Sequence, residues 1–346
     1  MAQQFTPSLR ASESYYMYRA KDAARHVAYA DLVTRSARKT KRFTKSLKKA
    51  AFLTQLIQGF GSPDHIPASS TLCRQVAAEH FISALHRTYF DRLIHRSQTL
   101  YLLTLVHPDH RTGDKKCEID LDHMRKQLWN LMRSISPNYI GVIEFDVTVN
   151  AKSVSDPEDG GRDVAPHMHV VFWTDKEIQP KVLSETMSKR IGEHADGIKA
   201  VNIRRCKGTE EDILRMAGYL FKSPSGGKTK VFRKSHDDNG LLVKTEERRK
   251  PVGKGARPII ASRQAELLSH FDLRKLLISG GEGNELKEYI TRSLLAETKM
   301  FQRFAPEGFG LEMIRSFWRM MRKQGWGKAY PEPKIKTRTP SKPATK

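Results

Sequence analysis

Two histidines one residue apart, His167 and His169, stand in the run APHMHVVFW. On a strand this spacing turns both imidazoles to one face. Side by side they can hold one divalent cation if a third ligand comes from a neighbouring strand. Glu144 lies in the preceding strand-like run, YIGVIEFDVTVN, and Asp146 shares its face as the alternative ligand. A second pair, Tyr219 and Lys222, lies in TEEDILRMAGYLFKS. Three residues apart on a helix, they share a face. Asp212, Arg215, Tyr219 and Lys222 form one polar stripe. Ile213, Leu214, Ala217, Leu220 and Phe221 fill the rest, as expected of a helix packed on a core. Each pair alone also fits a bland reading. Two partly buried histidines in a sheet, and a tyrosine with a surface lysine, need no chemistry at all.

The elements that must position these residues are legible around them. TLYLLTLV (99–106) is a β-branched and leucine-rich run ended by His-Pro-Asp, which predicts a buried strand. LDHMRKQLWNLMRSI (121–135) has apolar residues at helical spacing before a Ser-Pro stop. YIGVIEFDVTVN (139–150) and HMHVVFW (167–173) predict two strands paired antiparallel, joined by a polar loop. PKVLSETMSKRIGEH (180–194) reads as a helix, IKAVNIRRC (198–206) as a short strand and residues 209–223 as a helix with acids in its first turn. The fold class expected is α+β, a central antiparallel sheet with flanking helices.

Composition narrows the partners. The 346 residues carry 61 Lys and Arg against 38 Asp and Glu, a net charge of +23. Such an excess favours phosphate backbones through counterion release. The densest run, RSARKTKRFTKSLKK (35–49), has eight basic residues and no acid. Phosphate contacts are expected from Arg38, Lys39, Lys41, Arg42, Lys45, Lys48 and Lys49 there, from the basic stretch 228–258, and from Arg215. With 38% hydrophobic residues the chain can build a sizeable core. Cys73, Cys117 and Cys206 are widely spaced and form no CxxC pair, so neither a disulfide framework nor a cysteine zinc site is expected. No apolar leader or membrane-length run is seen, and a cytoplasmic location is expected. The segment SGGKT (225–229) lacks the upstream glycine and preceding strand of a nucleotide-binding loop, and an ATPase is rejected.

Three motifs in order resemble the HUH endonuclease superfamily, in particular its rolling-circle replication initiators. They are the apolar strand ending in Thr, YLLTLVHPD (101–109), the His-hydrophobic-His of APHMHVVFW, and the Tyr-x-x-Lys of AGYLFKSP. The resemblance covers about residues 98–224. It implies that Tyr219 attacks a phosphodiester, forming a 5′-phosphotyrosine link and freeing a 3′-hydroxyl, and that strands are later rejoined. A phenol, with a pKa of about 10, is a poor nucleophile at neutral pH without help. A metal on His167, His169 and Glu144 would polarise the phosphate, and Lys222 would stabilise the phosphate or the phenolate. Mg²⁺ or Mn²⁺ is implied. Some relatives carry a glutamate four residues before the tyrosine, for hydrolytic termination; here Arg215 stands there. Glu211 and Asp212 are the nearby substitutes as acid or base.

The domains expected are a basic helical N-terminal region (1–97), an HUH endonuclease domain (98–224), a basic flexible linker (225–260), a helical C-terminal region (261–330) and a disordered tail (331–346). The partners expected are single-stranded or locally melted origin DNA, a host helicase and a polymerase, with no membrane. A transposase or conjugative relaxase with the same chemistry, and a nucleic-acid-binding protein without catalysis, are the alternatives. Tyr15, Tyr16 and Tyr18 favour the relaxase arrangement, but only two histidines are in register for it.

Overall fold

The computed structural model describes residues 13–39, 47–88, 98–114, 117–149, 162–192, 199–207, 209–222, 228–236, 242–251, 258–304, 310–323 and 333–336. Three strands build the centre: β1 (Thr99–Leu105), β4 (Tyr139–Val149) and β5 (Arg162–Thr174). Between them in the chain come two short strands, β2 (Thr112–Gly113) and β3 (Glu118–Asp120). β5 is paired antiparallel to β1 on one side and β4 on the other. The strand β6 (Val201–Arg205) extends the sheet beyond β1, also antiparallel. The fold is thus α+β with a mostly antiparallel central sheet flanked by helices. Burial of β5 on both faces explains its apolar Val170, Val171, Phe172 and Trp173, all without solvent contact.

Helices cover this sheet. α3 (Thr71–Thr88) and α6 (Glu210–Leu220) pack on each other, and α6 also contacts β5. In α6 the Thr209 hydroxyl accepts from the Asp212 backbone N–H at 3.3 Å, satisfying one donor of the first turn. α4 (Leu121–Met132) starts on an Asp120 cap in the same way and buries Leu121, Met124, Leu128, Leu131 and Met132. α5 (Pro180–Ile191) lies on β6.

The regions outside 98–224 do not stand apart. α1 (Glu13–Lys39) and α2 (Leu47–Gln58), from the N-terminal side, meet α7 (Pro258–Ser269) and α10 (Leu311–Lys323) in a second core. That core contains Val33, Leu56, Ala261, Ala265, Ile314 and Trp318, and the Tyr29 hydroxyl donates to the Ala261 carbonyl at 3.4 Å. A four-residue helix α8 (Leu273–Leu276) leads into β9 (Leu277–Gly280), which joins the central sheet beside β4. α9 (Gly283–Phe304) packs on α3.

Two expectations are corrected. The stretch expected as a flexible linker contains a hairpin, β7 (Lys228–His236) with β8 (Leu242–Pro251), and β7 pairs with the end of β4. Glycines and charges suggested a linker, but the glycines fall outside both strands, and the charged runs pair with each other and with the end of β4. Within the tail expected as disordered, β10 (Lys334–Lys336) pairs parallel with β3, Ile335 opposite the buried Ile119. Among the described residues no helix is long and apolar enough to cross a membrane.

Candidate active site

The register of β4, β5 and β1 assembles the site. Glu144 lies directly opposite His167, and Val142 and Thr104 lie opposite His169 from the two sides. Opposed residues of a ladder point to the same face, so Thr104, His169, His167, Glu144 and Asp146 project together. The two imidazoles are 4.7 Å apart between centroids and nearly perpendicular. Both are buried.

Their outer hydrogen bonds set the tautomers. His167 Nδ1 is 3.2 Å from the Ala165 carbonyl, which can only accept, so Nδ1 carries the proton. His169 Nε2 is 3.4 Å from Lys222 Nζ, an ammonium that can only donate, so the lone pair of His169 is at Nε2. Its Nδ1–H then donates to Thr104 Oγ1 at 3.2 Å. Each ring is thus in the Nδ1–H form with a partner on that nitrogen, and the Nε2 lone pair of His169 faces Lys222.

α6 brings the other half. The Tyr219 ring packs edge-on against His169, centroids 4.4 Å apart, and 39% of the residue is exposed. The Lys222 ammonium stands 5.2 Å from the centre of the Tyr219 ring. Phenol, ammonium and imidazole thus converge from two elements far apart in the chain. Ile213, Leu214, Ala217, Leu220 and Phe221 are buried, as the stripe reading of this helix required.

The carboxylates behave differently. Glu144 Oε1 accepts from Arg74 Nη1 at 2.6 Å, both side chains buried. The same guanidinium donates to the Ala68 carbonyl at 2.6 Å and to the Lys222 carbonyl at 3.2 Å. Glu144 is beside His167 as expected, but its charge is already matched by a fixed cation. Asp146 Oδ2 is 3.8 Å from His167 Nδ1, the proton-bearing nitrogen, on the opposite side of the ring from Nε2. Among the described residues no group of three or more His, Cys, Asp or Glu side chains is arranged to hold a metal ion. Glu144, the third ligand expected from the sequence, is thus engaged by Arg74.

Asp212 is buried and used structurally: its carboxylate accepts from the Lys207 backbone N–H and from Arg215. Glu211 is exposed and lines an open cleft that also reaches Tyr219 and Arg215. Of the basic run, Arg38 and Lys39 close α1 and Lys48 and Lys49 open α2; their side chains, and all of Lys41, Arg42 and Lys45, lie outside the described residues. So do the side chains of Tyr15, Tyr16 and Tyr18. Sequence reasoning missed Arg74. Its signal was a lone arginine in the apolar stretch Leu72, Cys73, Val76, Ala77, Ala78, where a buried charge demands a partner. The chain matches no protein-family model, no curated protein and no solved structure.

Proposed function

We propose that this protein nicks and rejoins single-stranded DNA through Tyr219, in the manner of a rolling-circle replication initiator. The observation that supports the reading is the contact of the half-exposed Tyr219 ring with His169, with Lys222 touching both. A part-exposed tyrosine beside imidazoles and an ammonium is the kind of grouping that transfer of a phosphodiester to a tyrosine uses.

In the reaction the Tyr219 oxygen bonds to phosphorus as the bond from phosphorus to the 3′ oxygen breaks. The phenol loses a proton and the departing 3′ oxygen gains one, so the exchange is proton-neutral overall. The reverse step rejoins strands without an energy source, because one phosphodiester is exchanged for another. Lys222 lies where its charge offsets that building on the phosphate or the phenolate. Thr104 and Ala165 hold the imidazoles in one orientation. A Mg²⁺ or Mn²⁺ ion on His167 and His169 would supply Lewis-acid polarisation of the phosphate. The net charge of +23 supports a polyanionic substrate.

The Arg74–Glu144 pair favours a second reading, binding of nucleic acid without cleavage, since it engages the carboxylate expected as the third metal ligand. One assay separates the two. A labelled single-stranded origin oligonucleotide with Mn²⁺ is expected to give a covalent adduct that survives boiling in detergent. Chelation by EDTA and Tyr219→Phe are each expected to abolish the adduct while the variant still binds the oligonucleotide. An adduct of undiminished yield in Tyr219→Phe removes that residue from the role. Binding with no adduct in the unaltered protein leaves the non-catalytic reading.

A further inference from the structure

An open cleft of about 530 Å³ lies between α1 and α6 and is lined in part by Tyr219. Met17, Lys21 and Arg25 line it from α1, and Glu211, Leu214, Arg215, Gly218 and Tyr219 from α6. The lining is periodic on both sides. Met17, Lys21 and Arg25 are four residues apart and share one helical face, and the α6 residues likewise fall on one face. Among the described residues Lys21 and Arg25 on α1 face Glu211 on α6 across the cleft, with Arg215 beside Glu211 and paired to Asp212, and Met17, Lys21, Arg25 and Arg215 are exposed. Met17, half exposed, offers an apolar surface on the α1 wall, and Gly218 leaves the wall beside Tyr219 without a side chain.

We infer that this cleft seats the unpaired DNA strand next to the scissile phosphate, with Lys21 and Arg25 of α1 gripping its backbone. The inference deepens the proposed function and rests on its nucleic-acid reading. The size suits a nucleotide: the volume falls within the roughly 300–1,000 Å³ of small-ligand pockets. The charge supports phosphate, and the Met17 and Tyr219 side chains suit a base face, the pairing used by grooves for single strands. The position supports productive placement, because Tyr219 is part of the wall rather than distant from it. α1 thus acts as more than a basic extension: it supplies one side of the substrate channel.

The test uses the full chain carrying Tyr219→Phe, so that binding is read without cleavage. A fluorescein-labelled oligodeoxythymidine is titrated by anisotropy across a series of salt concentrations. Lys21→Ala with Arg25→Ala is expected to weaken binding tenfold or more. It should also lower the slope of log affinity against log salt by about 1.4, two contacts at about 0.7 each for a single strand. Lys189→Ala with Arg190→Ala, equally exposed but on α5, removes the same charge elsewhere and is expected to change neither. Melting temperatures of both variants should match the parent. An unchanged slope in the α1 variant, or equal loss in the α5 variant, overturns the assignment. Equal weakening of a duplex and the single strand by the α1 variant overturns the single-strand seat. Loss of the slope without any adduct in the Tyr219 protein keeps the channel and sinks the nicking reaction; adduct formation with an unchanged slope does the reverse.

Discussion

Arg74 and Glu144, seventy positions apart in the chain, form a buried ion pair 2.6 Å long directly beside His167. Because Arg74 also holds the Lys222 carbonyl, the pair ties the sheet to the end of the helix that carries Tyr219. Arg74→Met leaves the Glu144 carboxylate buried and alone, and is expected to cost about 3–5 kcal/mol. Arg74→Met with Glu144→Leu should recover most of that loss, since no charge is then stranded. Nicking should stay low in the double variant, because the anchor on Lys222 is gone. Urea unfolding with adduct yield on the same samples checks this. A double variant no more stable than the single one would show that the pair is not the source of the loss.

Thr104 orients His169 through its hydroxyl. Thr104→Val keeps the β-branched shape and removes the acceptor from the Nδ1–H. Loss of such an outer partner lowers metal affinity or activity about ten- to a hundredfold. Nicking is expected to need correspondingly more Mn²⁺, and Thr104→Ser to restore it. Equal Mn²⁺ dependence in all three proteins would remove Thr104 from the positioning of the ring.

Gly141 is where β4 comes closest to the backbone of His169. A Cβ there would lie 2.4 Å from the His169 carbonyl oxygen and 2.9 Å from Val170 Cα, both backbone atoms. Gly141→Ala must therefore push the strands apart at the site, at a cost of about 1–3 kcal/mol. Adduct formation should fall more than oligonucleotide binding, because the shift acts at His169 beside Tyr219 while Lys21 and Arg25 stand on α1. A variant with full stability and full activity contradicts the close approach.

Stability should fall in mild acid. Burial pushes His110 down to about 3, helped by His107, and burial with Arg322 nearby does the same to His270. Both values lie below the unfolded one of about 6.5, so the unfolded chain takes the proton first as the pH drops. The stability gained by keeping these rings neutral is complete above about 6.5 and is lost progressively toward about 3. Each contributes up to about 1.4 kcal/mol per pH unit in that window. Unfolding curves at pH 7 and pH 5 should differ accordingly, and His270→Gln should flatten the difference. Equal stability at both pH values excludes the effect.

The local pattern determined much of the site. His-x-His on a strand sends both rings to one face, and a tyrosine three residues before a lysine on a helix shares its side, whatever surrounds them. The apolar runs around β1, β4, β5 and α6 were legible for the same reason, since strand and helix periods are written in neighbouring residues. The hairpin β7–β8 and the strand β10 were not, because their Lys- and Pro-rich stretches form strands only where a partner edge is already present. Tertiary structure alone decided that Glu144 faces Arg74, that Tyr219 meets His169, and that α1 walls the cleft at Tyr219. Each of these joins residues far apart in the chain, and no local period encodes which buried charge will find which partner.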